Sequence, residues 1–204
     1  MATSKKIMIA VDCQRDFVER GKLAVAGGVS ACMHIVGELM TAWYDQVVFT
    51  MDYHPADHCS FVDNGGQWPE HCVQHTPGCD VLPELVHACH RNDVPYEFIV
   101  KGAHVDRDQY SAFDSKASKW AFNVTRLRHN GCPCEVTLRE GVLPIAKDDE
   151  VVVCGIAGDV CVLNTLKDLV AAGYKPTVLL AGTASLDGGK ALAQYIKKEG
   201  LATK

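Results

Sequence analysis

The sequence predicts an α/β protein: three α/β/α layers around a mostly parallel central sheet. Two observations carry this. The strand-like Val and Ile runs are continuous rather than alternating, as in strands buried on both faces. They are separated by helical stretches that serve as crossovers between parallel strands. With 204 residues, 48% of them hydrophobic, the chain can bury a full core. No repeat or low-complexity linker divides it, so a single domain over residues 1–204 is expected.

The elements follow in order. Ile7–Val11 reads as a strand, Val29–Tyr44 as a helix and Val47–Met51 as a second strand. A helix is expected over Glu84–Asn92 and a strand over Glu97–Val100. The second half offers a strand at Val151–Gly155, a helix from about Val160 to Ala172, a strand at Thr177–Ala181 and a helix at Lys190–Glu199. Between His54 and Asp80 lies a long aperiodic stretch rich in Gly, Pro, His and Asp. Loops of that length in compact domains are commonly functional, and Phe61 and Trp68 argue that this one is ordered.

Composition excludes several classes. A net charge of −5, with no Lys/Arg run, argues against a nucleic-acid partner. The N-terminal apolar run reaches Asp12 after five residues, too short for a signal peptide or a membrane span. A cytoplasmic protein with no membrane partner is therefore expected, with its ten cysteines reduced. Cys132 and Cys134 form a Cys-Pro-Cys loop feature, with a structural zinc as a weaker second reading.

In a parallel sheet, ligands bind beyond the carboxyl ends of the strands. The first strand ends at Asp12, the second at Asp52 and His54, the third at Lys101, and the fourth runs into Gly155-Ile-Ala-Gly-Asp-Val-Cys161. Cys161 opens a helix, where backbone N–H groups favour a thiolate, and Lys101 would lower its pKa further while Asp12 accepts the proton. The backbone N–H of Cys161, with one from the preceding turn, can form an oxyanion hole. Asp52 and His54, two apart on a strand, face one side, and His71 can swing in from the long loop. Two imidazoles and a carboxylate suit zinc, iron or manganese. His58 stands four residues after His54, but Pro55 opposes a helix through both. His34, His75, His87, His90, His104 and His129 read as surface or core-edge residues. Phe17 and Trp68 either belong to the core or sandwich a flat ring.

Five separated motifs, DCQRDF, MDYHPADHCSF, WPEHCVQHTPG, KG followed by YSAF, and GIAGDVCV, together resemble the isochorismatase-like cysteine hydrolases, and within them the nicotinamidases. The resemblance covers nearly the whole chain. It implies the isochorismatase-like hydrolase fold and a metal-dependent cleavage of nicotinamide to nicotinate and ammonia, with pyrazinamide as a second substrate. Carried over by position, the triad becomes Asp12, Lys101 and Cys161, and the ligands of one divalent ion, Zn2+ or else Fe2+ or Mn2+, become Asp52, His54 and His71. The oxyanion donors become Ala157 and Cys161, with a cis peptide between Ile156 and Ala157. Phe17, Trp68 and Tyr110 match the ring contacts. Some relatives add an acidic ligand from the long loop, for which Asp63 and Asn64 are the nearest candidates here. Gly158 and Val160 depart from the Thr-Asp-Tyr-Cys pattern that the resemblance leads one to expect. The resemblance also admits a homo-oligomer. Rival readings are another amide hydrolase of the same fold, an inactive binding relative, and a metal-only hydrolase in which Cys161 is structural.

Overall fold

A computed structural model of the chain describes residues 4–114, 119–127, 133–138 and 145–204. The strands are β1 (Lys6–Val11), β2 (Gln46–Asp52), β3 (Tyr96–Lys101), β4 (Phe113–Asp114), β5 (Lys119–Trp120), β6 (Phe122–Leu127), β7 (Pro133–Leu138), β8 (Glu150–Ile156) and β9 (Thr177–Ala184). The helices are α1 (Gly28–Thr41), α2 (Pro83–Arg91), α3 (Leu163–Ala171) and α4 (Lys190–Glu199). Seven strands form one sheet in the order β7-β6-β3-β2-β1-β8-β9, while β4 and β5 pair separately. The β3-β2-β1-β8-β9 part is parallel throughout, and β6 and β7 extend it antiparallel.

Strand geometry sorts the apolar runs between two cores. On β1, Met8 and Ala10 join Phe49, Met51, Val152 and Cys154 under α1 and α2, through Ile35, Leu39, Leu85 and Cys89. Ile7, Ile9 and Val11 face the other way, with Val48, Ile99 and Val153 under α3 and α4, through Leu166, Leu169 and Leu192. Successive side chains leave a strand on opposite faces. A strand that must satisfy two apolar layers therefore reads as an unbroken hydrophobic run, and the expected three-layer architecture is observed.

The differences have local causes. Helix α1 ends at Thr41, not Tyr44, because Ala42 is extended (φ −115°, ψ 144°). Tyr44 nevertheless comes back under the helix, donating its hydroxyl proton to Glu38 at 2.8 Å, so an apolar residue beyond the helix kept the periodicity. Pro83 opens α2 one residue earlier than expected, at a position where its missing N–H costs nothing. Strand β9 runs three residues past Ala181, with an irregular register opposite β8 between Val153 and Gly155. The antiparallel pair β6/β7 has no counterpart in the sequence reading. Cys132 and His129 lie outside the described residues, as does the Cys134 side chain. Among the described residues, no helix is long and apolar enough to cross a membrane.

Candidate active site

Four parallel strands deliver their terminal residues to one place. Asp12 follows β1, Asp52 closes β2, Lys101 closes β3, and β8 runs into the turn that carries Cys161. All four side chains are buried, Asp12 and Lys101 completely. The Lys101 ammonium lies 2.8 Å from Asp12 Oδ2 and 3.6 Å from Cys161 Sγ, and it also hydrogen-bonds Asp52 Oδ1. Thr50 donates its hydroxyl proton to the other Asp12 oxygen at 2.8 Å. Acceptor atoms of Asp12, Asp52 and Cys161 fall within 4.8 Å of one another, but the ammonium sits among them, so this trio is built around Lys101 and not around a metal.

Burial penalises every charge here, and the partners decide the balance. For Lys101, Asp12 and Asp52 more than offset burial and hold the ammonium charged well beyond the usual lysine range. Burial raises the Asp12 pKa against the opposing pull of Lys101, with Asp52 adding to the rise. Burial likewise pushes the Cys161 thiol well up, and Asp12 and Asp52 add to that against Lys101. That direction is opposite to the lowering that the helix start and Lys101 led one to expect, and it leaves Asp12 beside the sulfur.

The turn itself differs from a plain helix start. Residues Gly158–Val162 form a wide π-type turn before α3, and the Ile156–Ala157 peptide is cis. Gly155 precedes it with φ +120°, and a Cβ there would meet the Val11 carbonyl oxygen at 2.0 Å, so only glycine lets β8 lie this close to β1. Asp159 secures the turn by accepting N–H bonds from Leu186 at 2.9 Å and Asp187 at 3.0 Å.

Asp52 divides its two oxygens. Oδ1 faces Lys101, while Oδ2 lies 3.6 Å from His54 Nε2 and 3.7 Å from His71 Nε2. His54 is not on the strand as expected. The strand β2 ends at Asp52, and His54 sits in an isolated bridge with Val73. Each imidazole is oriented through its far nitrogen, His54 Nδ1 on the Gly102 carbonyl at 2.9 Å and His71 Nδ1 on the Pro69 carbonyl at 2.7 Å. A Cβ at Gly102 would stand 2.4 Å from the His54 ring, so glycine is needed for that approach. Two Nε2 atoms and a carboxylate oxygen converge within 4.8 Å, with the remaining ring nitrogens already engaged. This donor set fits a divalent metal ion. Asp52 holds His54 above the ordinary imidazole pKa despite the opposing effect of burial, and Lys101 and His54 hold Asp52 well below the carboxylate range despite the same opposition.

A pocket opens over Cys161, Asp52, His54 and His71, lined by Phe17, Trp68, Tyr110 and Ala157 and closed on a further side by Leu23, Val25, Val160 and Leu186. Trp68 Nε1 and Gln67 Nε2 donate to the Tyr110 hydroxyl at 3.2 and 3.0 Å, tying the long loop to the segment after β3. The sequence-predicted residues Asp12, Lys101, Cys161, Ala157, Asp52, His54, His71, Phe17, Trp68 and Tyr110 thus share one region. Asp63 is exposed, and the Asn64 amide donates to the His58 carbonyl, so neither joins the metal group. Missed were the aliphatic flank and Asp108 at the pocket, while His58, set aside as a helical partner of His54, stacks its ring on His54 with centroids 4.1 Å apart. His34, His75, His87, His90 and His104 are exposed as expected.

Residues 6–197 match the isochorismatase domain. The chain is 36% identical over 193 residues to the nicotinamidase/pyrazinamidase of Mycobacterium tuberculosis, covering 92% of this chain and 91% of that one. It is 31% identical over 216 residues to the nicotinamidase of Acinetobacter baylyi, covering 96% and 88%. Among solved structures, PnC1 of L. infantum in complex with nicotinate superposes with a TM-score of 0.74 at 27% identity, covering 100% of this chain and 94% of that one. The pyrazinamidase of Pyrococcus horikoshii in complex with zinc gives 0.70 at 27%, covering 98% of each. With its fold and these relatives in agreement, the chain belongs to the isochorismatase domain family.

Proposed function

We propose that the chain is a nicotinamidase that hydrolyses nicotinamide to nicotinate and ammonia, accepts pyrazinamide as well, and acts as a single domain in the cytoplasm. The observation that carries this reading is the Lys101 ammonium, which joins Asp12, Cys161 and an Asp/His/His group at the floor of one aromatic-walled pocket.

The reaction follows from the side chains. Asp12 takes the Cys161 thiol proton as the sulfur bonds to the carboxamide carbon, and the carbonyl π pair moves to oxygen. In this reading the N–H groups of Ala157 and Cys161 hold that oxyanion. As it collapses, the C–N bond breaks and Asp12 returns the proton, so ammonia leaves and a thioester remains. Water then adds to the thioester carbon with Asp12 as base, and nicotinate leaves as the thiol is restored. Lys101 stays charged throughout and offsets the negative charge that passes between Asp12 and Cys161. Asp52, His54 and His71 would hold a divalent ion, zinc in our reading; when bound, it supplies a Lewis-acid site for the ring nitrogen that places the substrate. Phe17, Trp68 and Tyr110 flank the ring.

Ammonia release from nicotinamide, pyrazinamide and benzamide tests this reading. Both heteroaromatic amides should turn over and benzamide, lacking the ring nitrogen, should be much slower. Benzamide hydrolysis at the nicotinamide rate would overturn the positioning role assigned to the Asp52, His54 and His71 group.

A further inference from the structure

Gln14 is wholly buried two residues past Asp12, yet the chemistry above makes no use of it. Strand β1 stops at Val11, because Asp12 turns away with φ 48°. The Asp12 N–H still reaches the Thr50 carbonyl at 3.0 Å, but β2 continues to Asp52 with no strand left on that side. The Gln14 side chain takes the missing strand's place. Its Oε1 accepts the Asp52 N–H at 2.8 Å, and its Nε2 donates to the Asp52 carbonyl at 2.7 Å and to the Cys79 carbonyl at 2.9 Å. A primary carboxamide carries the same donor and acceptor as a peptide, so it extends the parallel ladder by one rung.

The same short segment reaches the other side of the metal group. Asp16, also buried, accepts the N–H of Cys72 at 2.7 Å, the residue that follows His71. From Asp12 to Asp16 the chain therefore carries the base, grips the Asp52 peptide and grips the backbone beside His71.

We propose that Gln14 is a positioning residue for the metal group. It fixes the Asp52 backbone so that one carboxylate oxygen faces Lys101 and the other faces His54 and His71, and Asp16 fixes His71 through Cys72 in the same way. The inference rests on the reading of Asp52, His54 and His71 as metal ligands.

The test measures zinc affinity of the full-length chain by competition with a chromophoric chelator, beside nicotinamide kinetics and the melting temperature of the metal-free chain. Gln14→Met keeps the side-chain length but removes the bonds to the Asp52 and Cys79 peptide groups. It should weaken zinc binding about 10- to 100-fold, as loss of outer-sphere partners does, and raise the KM for nicotinamide more than it lowers kcat at saturating zinc. Asp16→Ala should weaken zinc binding in the same direction, and Asp16→Asn, which keeps an acceptor for the Cys72 N–H, should restore it. If Gln14→Met does not fold, the Asp16 pair decides. A merely structural role would lower the metal-free melting temperature and leave zinc affinity alone. Zinc affinities within about twofold of the parent in both Gln14→Met and Asp16→Ala would overturn the proposal. A parent chain that binds zinc yet leaves nicotinamide intact contradicts the proposed reaction only, and the comparison of zinc affinities still stands.

Discussion

The triad and the metal group meet at Lys101 and Asp52 but are held in different ways. Asp12 and Lys101 stand at the ends of strands whose backbones are paired along their length, and Cys161 stands in the turn that leaves β8. His54 and His71 stand in the irregular stretch beyond β2, each oriented by one hydrogen bond to a carbonyl. The first group is positioned by the sheet and the second by the loop that wraps it. Removing the buried charge at Lys101 should therefore cost stability, while damage to the loop group should cost metal and substrate placement with the fold intact.

Lys101→Met gives the largest expected effect. It removes the ammonium that sits between the buried carboxylates of Asp12 and Asp52, which should cost about 3–5 kcal/mol of stability along with all turnover. Denaturant unfolding checks this, and a cost near zero would mean the sheet does not depend on the ion cluster. His54→Ala should instead lower zinc affinity by more than about 100-fold, beyond the loss expected from an outer-sphere partner. The alkylation rate of Cys161 in that variant should stay close to the parent's, because Asp12 and Lys101 remain. A Cys161 that lost reactivity along with the metal would merge the two groups into one.

The pH dependence sharpens the contrast. Asp52 raises the folded-state pKa of His54 above its ordinary 6.5 despite burial. In the metal-free chain the charged imidazole therefore contributes stability that is fully present below about 6.5 and is lost as pH rises through the folded value. Metal binding needs the neutral ring, so zinc affinity should fall over the same range as pH drops. Melting temperatures of the metal-free parent minus those of His54→Gln, set against zinc titrations, should slope in opposite directions with pH. Slopes of the same sign would contradict the assignment. The smallest effect is expected for Tyr110→Phe, which removes the acceptor for Trp68 and Gln67. At about 0.5–1.5 kcal/mol for each of the two hydrogen bonds, KM should rise by roughly 5-fold or more with kcat nearly unchanged, measured by steady-state kinetics.

The same contrast sets what the sequence discloses. Asp12, Asp52, Lys101 and the Cys161 turn are legible because each closes an unbroken apolar run, and a parallel sheet brings such ends together. His54 is found for a reason that fails, since it lies past the strand that was expected to aim it. Gln14, Asp16 and the Gly102 carbonyl leave no periodic signal, because their bonds to Asp52, Cys72 and His54 join residues 38 to 56 apart in the chain. The burial that pushes the Cys161 thiol up is hidden for a related reason. A helix start and a lysine are visible in the sequence, whereas the depth of burial and the proximity of two carboxylates arise only on folding.

The central claim is that Cys161 is the nucleophile of an amide hydrolysis, and Cys161→Ala tests it most directly. Ammonia release from nicotinamide should be followed for parent and variant at matched zinc content, with melting temperature as the control for folding. Turnover should fall by at least about 10^4-fold, as when other covalent nucleophiles are removed, with zinc content and melting temperature close to the parent's. A folded, zinc-loaded Cys161→Ala chain that still released ammonia at a substantial fraction of the parent rate would contradict the account and leave Cys161 a core thiol.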